Sequence, residues 1–190
     1  MSETRIRLLR EEDWDELVAL EERAYAADGL SEGREALRSR HRASPSTCFV
    51  LAQAGSLGGY LLALPYPLFR CPDLSRSEDP GRSGDAGGGS TRPTNMHVHD
   101  VVIAEGLRGQ GLAGRMLREL ERTARQSGHR TVSLVAVRGS HVLWSRSGFR
   151  ARPEIGLPAS YGAEALYMAK PLGLPGAQPA VGSSLGAVTG

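Results

Sequence analysis

The chain has 190 residues, 40% of them hydrophobic and 23% charged, which suits one soluble globular domain around a single core. Its 23 basic and 21 acidic residues are evenly scattered and leave a formal net charge of +2, so no basic stripe marks a nucleic-acid partner. No apolar run approaches membrane-spanning length, the charged opening Met1–Arg5 lacks the apolar core of a signal peptide, and Cys48 and Cys71 show neither metal spacing nor a disulfide pattern, so a cytoplasmic protein is expected.

Ile6–Leu9 reads as a short opening strand. Trp14, Leu17, Val18 and Leu20 give Glu11–Tyr25 helical periodicity, and Glu32–Arg42 reads as a second, polar helix after the Asp28-Gly29 break. Thr47–Gln53 and Tyr60–Leu64 form a hairpin that turns at Ala54-Gly55-Ser56. From Pro65 to Pro93 the character changes: Ser77–Ser90 is rich in Gly, Ser, Asp and Arg, and a mobile insertion over 70–94 is expected. Strand-like sequence resumes at Met96–Ile103. An amphipathic helix follows, with Ala113, Leu117, Leu120 and Ala124 on one stripe and Gly128 ending it. Thr131–Val137 is a nearly all-apolar strand of the kind buried on both faces. A short helix around His141–Ser147 precedes Gly148-Phe149, and Tyr161–Ala169 supplies a last strand. Residues 1–170 thus read as one domain, followed by an uncharged, Gly/Pro/Ala-rich tail over 171–190 that is expected to be disordered.

The stretch from Ile103 to Gly114 carries the most information. There a strand runs into a glycine-rich turn, and the turn opens a helix. Amides at a helix start lack intrahelical partners and carry the positive end of the helix dipole, which suits a pyrophosphate. At Gly109, Gly111 and Gly114 a Cβ would keep phosphate oxygens from those amides. A P-loop would need Gly-Lys-Ser/Thr, which is absent, and a dinucleotide fingerprint would follow the first strand of an alternating unit, whereas this loop lies past mid-chain.

Arg108-Gly109-Gln110-Gly111-Leu112-Ala113 matches the R/Q-x-x-G-x-G/A signature of the GCN5-related N-acetyltransferases (GNAT), and the chain resembles that family from about Ile6 to Lys170. The resemblance implies an α/β fold: a central mixed, mostly antiparallel sheet, splayed between its fourth and fifth strands and flanked by helices. It also implies acetyl-CoA as co-substrate and no metal. The pyrophosphate would sit on Arg108, Gly109, Gln110, Gly111, Leu112, Ala113 and Gly114. Backbone groups of Val101, Val102 and Ile103 would meet the pantetheine arm and the thioester carbonyl. Lys170 is the sole lysine, an arginine bias that reads as the codon usage of a high-GC, bacterial genome.

In Met96-His97-Val98-His99-Asp100 the two imidazoles are two residues apart on a strand and so share a face, while Asp100 alternates to the other. The His-x-His and its distance from Arg108 resemble the arylalkylamine (serotonin) N-acetyltransferases. That resemblance implies that His97 and His99 relay a proton from the amine through water. An alkylamine has a pKa of about 10 and arrives as ammonium, so a base titrating near neutrality suits the task. Packed core histidines, solvated bystanders on an edge, and a metal site with Asp100 are the competing readings.

Many members of the family carry a tyrosine four residues before Gly-Phe as the acid for the departing thiolate, and here that residue is Trp144. An indole N–H cannot act as an acid in this range, so Trp144 is expected to wall the pantetheine. Tyr161 or Tyr167 could reach the sulfur, Tyr161 being the better placed, or the thiolate could leave unaided, since a thiol's pKa is only about 8.5. Tyr25, Tyr66 and Phe69 are the expected aromatic lining of the acceptor pocket, with Arg70 or Arg92 available to a substrate carboxylate. The expected reaction is acetylation of the primary amine of a small molecule by direct attack. Acetylation of a protein N-terminus or lysine, or a non-catalytic CoA sensor, are the alternatives. A homodimer is an assembly open to it, and neither membrane nor nucleic acid is expected as a partner.

Overall fold

The computed structural model describes residues 4–53, 55–74 and 93–173. Among them run strands β1 (Thr4–Leu8), β2 (Phe49–Gln53), β3 (Ser56–Pro65), β4 (Asn95–Ile103), β5 (Thr131–Ala136), β6 (Arg150–Ala151) and β7 (Leu166–Pro171). The helices are α1 (Trp14–Tyr25), α2 (Arg34–Ala43), α3 (Leu112–Gln126) and α4 (His141–Arg146). The strands make one mixed sheet in the order β1-β2-β3-β4-β5-β7-β6, antiparallel throughout except where β4 and β5 run parallel. This is the α/β arrangement that the resemblance implied.

Alternation along the strands sorts side chains into two cores. Phe49 and Leu51 of β2, Leu61 and Ala63 of β3, and Met96 and Val98 of β4 pack with Met116, Leu117, Leu120 and Ala124 of α3. The intervening Val50, Tyr60 and Leu62 pack on the other face with Trp14, Leu17 and Leu20 of α1 and Leu37 of α2. Ala113, expected on the α3 stripe, is only half-buried, and its place in the core is taken by Leu112 and Met116.

Several boundaries differ from expectation, each for a local reason. A 3-10 turn over Glu11–Asp13 precedes α1, and Asp13 accepts there from the Arg10 N–H at 2.8 Å. Helix α2 starts at Arg34 because Gly33 is left-handed (φ 79°) and the Glu32 N–H donates to Glu21 Oε1 at 2.8 Å. Strand β3 begins at Ser56 and includes Gly58 and Gly59, whose low strand propensity conceals it in the sequence. At Gly59 a Cβ would lie 2.5 Å from the Val102 carbonyl oxygen, so only glycine lets β3 and β4 approach. Tyr161 lies in a 3-10 turn, Ala159–Tyr161, separated from β7 by left-handed Gly162 (φ 83°). Of the expected mobile insertion and disordered tail, residues 75–92 and 174–190, with Arg92, lie outside the described residues. Among the described residues no helix is long and apolar enough to cross a membrane.

Candidate active site

The cleft begins where the sheet opens. β4 and β5 pair only from Asn95↔Thr131 to Val98↔Leu134, yet β4 continues to Ile103 and β5 to Ala136. At the same level the β3–β4 register passes from Ala63↔Val98 to Leu62↔Asp100, which leaves His99 as the extra residue of a β-bulge. The Ala104 N–H donates to Gly58 O at 2.8 Å, so by alternation Val102 also faces β3. Val101 and Ile103 therefore direct their N–H and C=O groups into the splay. The opening is part of a cleft of about 650 Å³ that is lined by β4, the turn after it, the start of α3, the end of β5 and α4.

One end of this cleft is the glycine-rich turn. Gly109 (φ 78°) and Gly111 (φ 71°) are left-handed, and Gly111 is the N-cap of α3. A glycine cap offers no side chain to the first amides of the helix, so those at the start of α3 remain for a ligand. Nothing stands within 4 Å of where a Cβ would project at Gly109 or Gly111. The donor set, the dipole and the bare glycine surface fit a diphosphate. Arg108 and Leu112–Gly114 line the cleft with these glycines. Gln110 is exposed and points outside the lining.

At the other end the two histidines share a face but not an environment. His97 is 1% exposed, its Nδ1 lies 2.9 Å from Ser133 Oγ, and its ring stacks near Tyr167. Burial, with the charges of His99 and Arg40, pulls its pKa down to about 3, so it is neutral near pH 7. His97 does not line the cleft, whereas His99 does. His99 Nε2 is 2.5 Å from Glu32 Oε1, and its Nδ1 is buried with no hydrogen-bond partner among the described residues. Glu32 also accepts from Arg40 at 2.9 Å. Burial pushes the Glu32 carboxyl up, but His99 and Arg40 together hold it below its ordinary value.

The bulge overturns the expected placement of Asp100. Strand alternation sets it opposite the histidines, but the extra residue restores it to their side, against α1. There Tyr25 donates to Asp100 Oδ1 at 2.6 Å and Tyr60 donates to Oδ2. Burial raises the Asp100 pKa to about 6, against the pull of the two hydroxyls and His99. Tyr25 lines the cleft beside it.

Trp144 forms part of the wall between α4 and the splay, its ring edge-on to Phe149 at 6.1 Å. Tyr161 also lines the cleft, but its hydroxyl donates to Pro72 O at 2.8 Å and burial raises its pKa. Tyr167 is turned away, its hydroxyl accepting from the Phe69 N–H at 3.0 Å. Tyr66 and Phe69 stand outside the cleft lining. Phe69 is 44% exposed against Tyr167, and Tyr66 packs beside buried His97. Arg70 is exposed and likewise outside the lining.

Glu32, Tyr60, Asp100 and Arg138 are the site residues that sequence reasoning missed. Arg138, non-glycine at φ 52°, reaches across the cleft mouth to Ala24 O at 2.9 Å and pairs with Asp28. Its guanidinium lies 5.6 Å from the Tyr25 ring centroid. Only Asp100 left a signal, as the carboxylate next to the His-x-His. The others depend on contacts between residues far apart in the chain. Among the described residues no group of three His, Cys, Asp or Glu side chains is placed to hold a metal ion.

A model of the acetyltransferase (GNAT) family matches residues 12–149. Among solved structures, Ard1 from Thermoplasma volcanium is similar with a TM-score of 0.63 at 16% identity, over 89% of this chain and 97% of that one. A GNAT family acetyltransferase from Brucella melitensis, in complex with acetyl-CoA, is similar with a TM-score of 0.59 at 19% identity, over 90% and 89%. The ribosomal-protein-S18-alanine N-acetyltransferase from Escherichia coli gives 0.62 at 16% identity, over 92% and 97%. At these identities the structural matches speak for the fold. No curated protein sequence matches the chain.

Proposed function

Because this chain belongs to the acetyltransferase (GNAT) family, and is an acyl-CoA-dependent acyltransferase, we propose that it acetylates the primary amine of a small molecule by direct attack. His99 supports this reading most directly. Its side chain is 1% exposed, it borders the splay beside Val101, and its Nδ1 has no partner among the described residues. An unpartnered ring nitrogen at the border of the cleft is the base this reading assigns to a substrate bound there.

The turn from Arg108 to Gly114 binds the diphosphate, and the main chain of Val101 and Ile103 holds the pantetheine arm. Acetyl-CoA supplies an activated acyl carbon and a thiolate leaving group. His99 Nδ1 takes a proton from the incoming ammonium, directly or through water, and frees the nitrogen lone pair. The amine nitrogen bonds to the thioester carbon while the Val101 N–H receives the developing oxyanion. As the oxyanion collapses, the carbon–sulfur bond breaks, the sulfur keeps the electron pair, and the nitrogen gives its surplus proton to water. Trp144 has no acidic proton to give, and the Tyr161 hydroxyl is already donated to Pro72, so the thiolate departs unaided. His97 stays neutral and supports the strand through Ser133 without joining the relay.

Asp100, ringed by Tyr25 and Tyr60, puts negative charge and aromatic surface where a cationic alkylamine would enter. The likeness of the His-x-His to arylalkylamine N-acetyltransferases agrees with such an acceptor. Thiol release from acetyl-CoA with a panel of arylalkylamines, diamines, amino acids and peptides tests the proposal, with intact-mass analysis of the product. The expected result is turnover of alkylamines. Turnover of peptides alone would move the acceptor to proteins, and CoA binding without turnover of any amine would sink catalysis altogether.

A further inference from the structure

His99 can act as a base at Nδ1 only if the ring proton sits on Nε2, and neutral imidazole in water holds no fixed tautomer. The structure supplies a reason for the proton to stay there. Glu32, two residues before α2, places Oε1 2.5 Å from His99 Nε2, and Oε2 accepts from Arg40 Nη2 at 2.9 Å. Arg40 is fully buried and its guanidinium also donates to Asp73 O at 3.3 Å. Glu21 holds the segment from below by accepting the Glu32 N–H at 2.8 Å and the Ser31 hydroxyl at 2.7 Å. Each oxygen of Glu32 thus has one assigned donor, and a carboxylate so engaged can only accept from Nε2.

We propose that Glu32 is a positioning residue: oriented by Arg40, it holds the proton of His99 on Nε2 and so presents the Nδ1 lone pair to the acceptor amine. This rests on the reading of His99 as the base. The chain Arg40–Glu32–His99 links the α2 layer to the β4 bulge and ends in the cleft. Among the described residues, titratable groups near it include His97 and Asp100 on β4, Cys71 and Asp73 after β3, and Tyr161 from the turn before β7.

Glu32→Gln offers a sharp test because the amide has only one accepting atom. Arg40 is always a donor and claims the amide oxygen, so the NH₂ group must face His99 Nε2. An N–H facing Nε2 requires a lone pair there, which moves the ring proton to Nδ1 and abolishes the base. The experiment is nitrogen-15 NMR of histidine-labelled full-length protein, with His99 assigned by comparison with His99→Gln. Wild type is expected to show a protonated Nε2 and an unprotonated Nδ1, and Glu32→Gln the reverse. Turnover of the amine by the variant should fall roughly a hundredfold in kcat, the lower range for general-base catalysis, with KM for acetyl-CoA unchanged. A merely structural role for Glu32 would leave the tautomer as it was.

Wild-type protein with the proton on Nδ1 would overturn the proposal, and that reading needs no Glu32 variant to fold. Retention of the Nε2–H form in Glu32→Gln would overturn it equally. An inverted tautomer with undiminished turnover would remove His99 as the base, and with it the positioning role. That result is distinct from either failure of the contact itself.

Discussion

The Tyr25 hydroxyl at the end of α1 donates to Asp100 Oδ1 at 2.6 Å and so fastens the first helix to the residue just past the β4 bulge. Tyr60 holds the other carboxylate oxygen. Burial drives the Asp100 pKa up to about 6, and the two hydroxyls hold it from rising further. Tyr25→Phe should therefore raise it, leaving more of Asp100 neutral near pH 7. The expected outcome is a severalfold higher KM for a cationic amine and an acidic limb of kcat/KM displaced to higher pH, with KM for acetyl-CoA unchanged. Identical pH profiles for variant and wild type would show that Asp100 plays no part in receiving the amine.

Gly111 sits in the left-handed region as the N-cap of α3, with open space where a Cβ would project. Gly111→Ala should cost about 1–2 kcal/mol through backbone strain alone. It would also set a methyl group on the surface proposed for the diphosphate. Calorimetric titration with CoA is expected to show affinity reduced by about tenfold or more. Wild-type affinity in that variant would place the diphosphate elsewhere.

These two sites also show how far the sequence could be read. The glycine turn, its strand and its helix are one contiguous stretch, and local chemistry suffices to interpret it. Asp100 is different. The rule that side chains alternate holds only for an unbroken ladder, and the extra residue at His99 is imposed by the pairing of β4 with β3. Glu32 read as part of a polar helix because nothing in its neighbourhood announces a histidine 67 positions on. Tyr66 and Phe69 are expected in the pocket from aromatic type and from their place in the segment after β3, and neither fixes the direction of a loop.

His97 makes the fold sensitive to acid. Its pKa is pulled down to about 3 by burial first, then by the charges of His99 and Arg40, whereas in the unfolded chain it titrates near its ordinary 6.5. Between these values the unfolded state holds a proton that the folded state refuses, so stability is lost as pH falls through that window. The expected contribution to the slope is about 1.4 kcal/mol per pH unit. Urea unfolding of His97→Asn from pH 7 to 4 should show a shallower loss than wild type, and parallel curves would contradict a buried neutral imidazole.

The Tyr161 hydroxyl is committed to the Pro72 carbonyl, and burial raises its pKa. Tyr161→Phe is expected to leave kcat within about twofold while lowering stability by about 1 kcal/mol, the usual net value of one hydrogen bond. A drop in kcat of about a hundredfold, with loss of the alkaline limb of its pH profile, would instead identify Tyr161 as the acid.

The early end of the β4–β5 ladder at Val98↔Leu134 leaves two strand edges in the middle of the sheet rather than at its margin. An exposed edge invites aggregation, but these edges lie inside the cleft rather than at the margin of the sheet. On the proposed reading an extended pantetheine arm docks there as a strand would, held by main-chain polarity rather than by side-chain identity. Recognition of the co-substrate then depends little on which residues occupy Val101 or Ile103, provided the chain stays extended. Their side chains pack against the α3-side core, so what limits substitution at Val101 and Ile103 is packing rather than the co-substrate.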